Sequence, residues 1–278
     1  MMRGNLRKMS VQADTSGKVS YELKLDESLI PLDDALGQKV SLKFSGEIQC
    51  IHCGRASKKS FNQGYCYPCF KKLAACDTCI MSPEKCHFHK GTCREPEWAE
   101  RFCMQSHYVY LANTTALKVG ITRGDQLPTR WLDQGATQGR AMFVVANRRM
   151  SGLVETLFKN EVADKTNWRN MLKGSDAKLD LAYEQERLIG SLWEGLDALQ
   201  NEFGLQAVQE LDDTNLTHEF SYPVLEYPSK VTSINAEKTP HVEGTLMGIK
   251  GQYWILDTGV INIRKYTGYE AEFTLQER

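Results

Sequence analysis

The sequence predicts an α+β protein in which a short antiparallel sheet with helices follows a cysteine-rich insertion and is flanked by β segments at both ends. Three observations carry this. Residues 107–112 and 117–122 are runs rich in Tyr, Val, Leu and Ile, joined by the polar turn Asn113-Thr114-Thr115. Such residues favour a pleated, half-buried surface. Eight of the nine cysteines fall between positions 50 and 93, six of them in Cys-x-x-Cys pairs. Alternation of apolar and polar residues, the period of a strand, marks both ends of the chain.

At 278 residues the chain fits about two domains. No apolar run approaches the ~18 residues that a membrane span needs, so no membrane partner is expected. The N-terminus has the charges of an export signal, but Ser10, Gln12, Asp14 and Thr15 interrupt any hydrophobic core. The expected location is the cytoplasm, where thiols stay reduced. Net charge is −1, yet it is unevenly spread: residues 38–150 hold 17 Lys/Arg against 8 Asp/Glu, and residues 151–220 hold 6 against 14. A basic half suits a polyanion such as nucleic acid, beside an acidic helical half.

Five segments follow in order. Residues 1–48 form an N-terminal β segment. Residues 6–11 and 19–25 alternate around Asp14-Thr15-Ser16-Gly17, a hairpin signal, and residues 40–48 repeat the alternation.

Residues 49–105 are a cysteine-rich zinc-binding region. Cys50-Ile51-His52-Cys53 and Cys66-Tyr67-Pro68-Cys69 each present two thiolates to one side of a tetrahedral ion, as in zinc ribbons. Four thiolates leave no position for water, which makes this a structural site. A second cluster holds Cys76, Cys79, Cys86 and Cys93, with His89 as the substitute ligand and His87 a further candidate, so about two zinc ions are expected. An iron–sulfur cluster also takes four thiolates and is the alternative cofactor. Cys103 and His107 read as a buried thiol and a strand-edge histidine, with a third ligand pair as the alternative. Around the first site, Arg55, Lys58, Lys59, Phe61, Tyr65 and Tyr67 offer charge for phosphates and rings for stacked bases.

Residues 106–172 are the core. After the two strands, residues 127–134 read as a short helix with Pro128 near its first turn, closed by Gly135. Residues 141–146 are a third strand. Ser151 is read as the cap of a helix over 152–162 whose apolar stripe is Leu153, Val154, Leu157, Phe158 and Val162, with Glu155 beside it. Residues 173–221 are a helical segment in which 181–203 is amphipathic, with Leu188, Leu192, Leu196, Leu199 and Phe203 on one stripe. Residues 222–278 are a C-terminal β module of four or so strands with tight Gly turns, a small sheet or barrel. Neither end has much core alone, so the N-terminal strands are expected to pair with it.

The order strand, strand, helix, strand, helix, and the residues on it, resemble the GIY-YIG nuclease family over residues 107–169, in particular its shorter, phage-type branch. Tyr108-Val109-Tyr110 stands at that family's first motif and Lys118-Val119-Gly120 at its second. Tyr108 takes the place of a glycine there, and Lys118 that of a tyrosine. Arg130 falls at the helix arginine, with Arg123 able to claim the role, Glu155 at the metal-binding glutamate, and Asn167-Trp168 near the closing polar-aromatic pair. Over nearly the whole chain the sequence is also similar to an uncharacterised prokaryotic family of cysteine-rich proteins with such a core. That likeness is carried by Gly64-Tyr65-Cys66-Tyr67-Pro68-Cys69, by residues 118–123 and by Thr166-Asn167-Trp168-Arg169.

The nuclease resemblance implies a three-stranded antiparallel sheet with helices and a catalytic set of Tyr108, Tyr110, Lys118, Arg123, Arg130 and Glu155. Tyr110 would take a proton from water, Arg130 or Arg123 would neutralise charge on a phosphate, and Glu155 would hold magnesium or manganese. The expected function is a zinc-containing, metal-dependent phosphodiesterase acting on DNA or RNA. The alternatives are a non-catalytic zinc-stabilised nucleic-acid-binding protein and an iron–sulfur protein using the same cysteines.

Overall fold

A computed structural model of the chain describes residues 1–174, 177–211 and 217–276. In chain order, β1 (Met2–Asn5), β2 (Ser10–Ala13), β3 (Val19–Leu25), β4 (Ser28–Pro31) and β5 (Lys39–Ile48) open the fold. The cysteine-rich region carries only short helices, α1 (Tyr67–Lys72), α2 (Thr78–Met81) and α3 (Pro96–Phe102). The middle consists of β6 (His107–Asn113), β7 (Leu117–Arg123), α4 (Thr129–Asp133), β8 (Gln138–Val145), α5 (Arg148–Phe158), α6 (Trp168–Met171) and α7 (Leu181–Phe203). It is followed by β9 (Val208–Glu210), β10 (Thr217–Glu219), β11 (His241–Lys250), β12 (Tyr253–Leu256), β13 (Gly259–Asn262) and β14 (Tyr269–Gln276). The architecture is mixed α+β with several antiparallel sheets.

The two ends of the chain meet in one six-stranded sheet of order β1-β14-β5-β11-β12-β13. Leu42 of β5 sits between Phe273 of β14 and Val242 of β11. A second sheet, β2-β3-β4, shares its core: Val11, Tyr21, Leu23 and Ile30 pack with Leu42, Trp254, Ile261 and Phe273. The alternating stretch 6–11 does not form one strand. Leu6 and Met9 are fully buried between β1 and β2, and Gln252 holds both the N–H and the C=O of Met9, so side-chain partners replace a ladder there.

The middle sheet has the order β10-β8-β6-β7, with β9 also on β8, and every pairing is antiparallel. Side chains alternate across a strand, so its two faces can be read from β6. Val109 and Leu111 join Val119 under α5 and α7, whereas Tyr110 and Ala112 face Trp131 of α4 and Ala136. The amphipathic helix over 181–203 forms as read, and its leucine stripe covers the first of these faces. α5 starts earlier than the sequence suggests. Asn147 caps it by accepting from the Met150 N–H at 3.0 Å, while Ser151 lies inside the first turn and donates to the Arg148 carbonyl. Asn and Ser are both favoured caps, and the helix uses the earlier one in place of Ser151. Among the described residues, no helix is long and apolar enough to cross a membrane.

Because β5 joins both ends, Leu42→Ala is expected to destabilise the protein by about 2–5 kcal/mol. It should also raise amide exchange in β11 and β14 together. Faster exchange confined to one of those strands would show that the two ends do not share a cooperative unit.

Candidate functional site

The first cysteine cluster is built from two tight turns. Cys50 follows β5 directly, and the Gly54 N–H donates back to the Cys50 carbonyl at 2.9 Å, folding Cys53 under it. Cys66 is the residue before α1 and Cys69 lies in its first turn, with Pro68 between them at a position where no amide donor is needed. The four sulfurs lie within 4.8 Å of one another, Cys53 and Cys66 at 3.7 Å. Burial opposes ionisation of Cys50, but the backbone N–H groups of Cys53, Cys66 and His52 draw its thiol down to about 6. Four thiolates on a single tetrahedral ion with bonds of ~2.3 Å would be spaced ~3.8 Å apart, and this cluster has that scale. These cysteines could therefore hold a metal ion, and all nine cysteines of the chain are free thiols.

The other thiols are arranged differently from their spacing. Cys76 turns towards the first cluster, where Asn62 bonds to it and Cys50 is in electrostatic range. Cys79 begins a separate group in which its sulfur, an Asp77 oxygen and a His87 nitrogen lie within 4.8 Å of one another. Burial, the Asp77 charge, and the thiols of Cys86 and Cys103 push Cys79 up to about 11. Cys93 is partly buried within electrostatic range of Cys103, and His89 is exposed near Arg149 and Lys90. Cys103 is buried at the end of α3, and His107 is fully buried at the start of β6.

This region is docked on α5 at two points. Arg148 receives the region from below: its amide donates to the Cys103 carbonyl at 2.8 Å and its guanidinium to the Ile80 carbonyl at 2.6 Å. One turn later Gly152 leaves room for Pro83 and Glu84, whose atoms a Cβ at that position would overlap.

A polar cluster lies on the α4 side of β6 and at the outer edge of β7. Tyr110 is paired across the strands with Gly120, and its ring lies over that glycine, where a Cβ would come within 2.6 Å of the phenol oxygen. Trp131 meets the ring edge-on at 5.9 Å, and Gln134 Nε2 donates to the phenol oxygen at 2.9 Å. Burial pushes the Tyr110 phenol up, against the opposing pull of the Arg130 charge and the Gln134 bond. Lys118, two residues before Gly120, shares its face and is buried. Burial first, then the Arg130 charge, draws the Lys118 ammonium down to about 8, against Glu155 and Asp164. The chain after α5 runs back beside β7, with the Val119 N–H on the Ala163 carbonyl at 2.9 Å, and this brings Asp164 and Thr166 to the site. Glu155 and Asp164 share the Lys159 ammonium, at 3.1 and 3.4 Å.

Four of the six positions named from the sequence therefore meet: Tyr110, Lys118, Arg130 and Glu155 act on one another electrostatically. Tyr108 is on the same face as Tyr110, one strand repeat away, with its ring next to Gly124. Arg123 is an odd number of residues from Lys118 and so lies on the other face, stacked on Phe102 at 4.7 Å and paired with Asp125. Gln134, Lys159, Asp164 and Thr166 lie beside these four and are not among the positions that the sequence singles out. Gln134 and Lys159 each lie four residues after a named position, the spacing at which helical side chains meet, and that signal was available. Asp164 and Thr166 arrive by a loop that no periodicity marks. Trp168 stacks on Tyr253 at 5.6 Å and ties the end of the core to β12.

His107 has Nδ1 on the Gln105 carbonyl at 2.7 Å and a buried Nε2 that has no partner among the described residues. Burial draws its pKa down to about 4. Unfolding exposes an imidazole of pKa ~6.5, which takes up a proton between the two values, so stability is complete above pH ~6.5 and falls as the pH drops towards 4. The expected loss is on the order of 2–3 kcal/mol, and His107→Leu should flatten that part of the stability profile in chemical denaturation. A profile that keeps its slope in the variant would place the acid sensitivity elsewhere. Gly120→Ala should displace the Tyr110 ring and destabilise by about 1–3 kcal/mol. Wild-type stability in that variant would show that the ring is not held over the strand.

No curated protein and no solved structure matches this chain. Residues 37–271 match a family described as "Protein of unknown function (DUF2797)", a span that runs from the residues before β5 into β14 and includes both the cysteines and the polar cluster. The match covers well over half of the sequence, and the chain belongs to that family.

Proposed function

We propose that the protein is a zinc-containing phosphodiesterase acting on DNA or RNA, with its reaction at the edge of β7. The observation that carries this reading is the convergence of a phenol, a lysine, an arginine and a carboxylate from β6, β7, α4 and α5 at one place. It is the set that the GIY-YIG resemblance implies, in the order that it implies. Lys118 and Arg130 would bind the non-bridging oxygens of a phosphate. Tyr110, held by Gln134, would orient or deprotonate the attacking water, with the Arg130 charge favouring the phenolate. Gln134 Oε1 and Trp131 Nε1 are buried near the phenol without a partner among the described residues, which suits a site that receives a polar ligand.

Glu155 and Asp164 already flank a cation, the Lys159 ammonium, and the same two carboxylates suit magnesium or manganese. Such an ion supplies charge neutralisation at the phosphate. Zinc is assigned to Cys50, Cys53, Cys66 and Cys69 in preference to an iron–sulfur cluster, because their spacing suits one tetrahedral ion and a multi-iron cluster spreads its thiolates wider. Nucleic acid is the proposed partner because a groove of ≈ 290 Å³ beside this centre is lined by Arg55, Lys58, Lys59, Phe61 and Tyr67, with Tyr67 exposed.

One observation favours the second reading, a nucleic-acid-binding protein without catalysis: Tyr110 is wholly buried and Glu155 is already ion-paired. A magnesium-dependent cleavage screen on mixed DNA and RNA separates the two. Tyr110→Phe and Glu155→Gln are each expected to lower cleavage by ~10²-fold or more while binding is retained. Binding by the wild-type protein with no cleavage of any substrate would establish the second reading in place of the first.

A further inference from the structure

The geometry points to a second metal centre, distinct from the four-cysteine cluster, in which Cys79 Sγ, His87 Nε2 and a carboxylate oxygen of Asp77 hold a zinc-type ion. The three donor atoms converge within 4.8 Å although they come from the residue before α2, from α2 itself and from the loop eight residues beyond Cys79. Asp77 and Cys79 are buried.

The hydrogen bonds around His87 accommodate the tautomer in which Nε2 is free. The Thr92 hydroxyl faces the His87 carbonyl at 3.4 Å and His87 Nδ1 at 2.8 Å. With the hydroxyl proton on the carbonyl, Nδ1–H donates to the hydroxyl oxygen, and Nε2 presents its lone pair to Asp77 Oδ2 at 3.6 Å. Two acceptors that face each other need a cation or a proton between them. A histidine whose other nitrogen donates to an oriented oxygen is the arrangement in which imidazole binds a metal. Asp77 is held in place from its other side, since Oδ1 accepts from the Thr78 N–H at 2.6 Å and Oδ2 from Arg94 Nε at 2.8 Å.

A second observation concerns charge. Arg148 is half-buried, makes no ion pair with a carboxylate among the described residues, and reaches the Cys79 and Ile80 carbonyls. Its neighbours of opposite potential charge are the thiols of Cys79, Cys86 and Cys103. A guanidinium partly withdrawn from water is stabilised by a nearby counter-charge, and a metal-bound Cys79 thiolate supplies one. Cysteine, histidine and aspartate together suit zinc, and three protein donors leave the fourth tetrahedral position to water.

The test is zinc per chain, by elemental analysis of the full-length protein after gel filtration. Two ions are expected in the wild type, one in His87→Asn, one in Cys79→Ser, and one in the double variant Cys50→Ser/Cys53→Ser. Two ions retained in His87→Asn would overturn the assignment, as would a single ion in the wild type. Cobalt titration of the wild-type protein gives a reading that does not depend on whether variants fold. One of the two cobalt ions should show the thiolate charge-transfer intensity of a single Co–S bond and the other that of four. Equal intensity at both centres would mean that Cys86, Cys93 and Cys103 hold the second ion instead.

Discussion

Strand β6 lies inside its sheet and is covered on both faces, so each polar group that points off it or its neighbours needs a partner within the protein. On the α7 side, most side chains are apolar and have no such need; Asn113 and Gln138 bond to each other and to the Ala177 and Leu179 carbonyls. On the α4 side, the groups are a phenol, an ammonium and a guanidinium. Gln134 serves the phenol, and among the described residues Lys118 has the Thr166 hydroxyl at 3.5 Å and the charges of Glu155 and Asp164. Lys118 is buried and Arg130 half-buried, and the carboxylates that act on the Lys118 ammonium are Glu155 and Asp164.

The cysteine-rich region has little regular structure, and its three helices are four to seven residues long. Helices of that length are not stable by themselves, and metal–ligand bonds are the usual replacement for an absent core. The region is nevertheless not a separate bead. Arg148 and Gly152 fix it to α5, the helix that carries Glu155 and Lys159. The cysteine-rich region and the polar cluster therefore share one helix of 11 residues.

Much of the fold is legible in the sequence where a single element carries its own period. The helix over 181–203, the strands around 107–113 and 117–123, and the hairpin around Asp14 all follow from local pattern. Contacts over long separations are less legible. Alternation shows that residues 40–48 are a strand, but only the core requirement suggests that β14, more than 200 positions later, lies beside it. Spacing leaves open which of Arg123 and Arg130 lies near Lys118, because it does not show strand parity: Arg123 shares a face with Val119, not with Lys118. For the thiols, spacing alone grouped Cys76 with Cys79. The turn between them sends one towards each cluster, and no motif encodes that reversal.

The proposed function requires one phosphodiester among Tyr110, Lys118, Arg130 and Glu155. Chemical-shift mapping of the isotope-labelled protein with a short oligonucleotide in magnesium tests this. Perturbation is expected at the Gly120 amide and at the Arg130 and Lys118 side chains, together with the groove residues Arg55, Lys59 and Tyr67. Perturbation confined to the groove, with the edge of β7 unchanged at saturation, would contradict it.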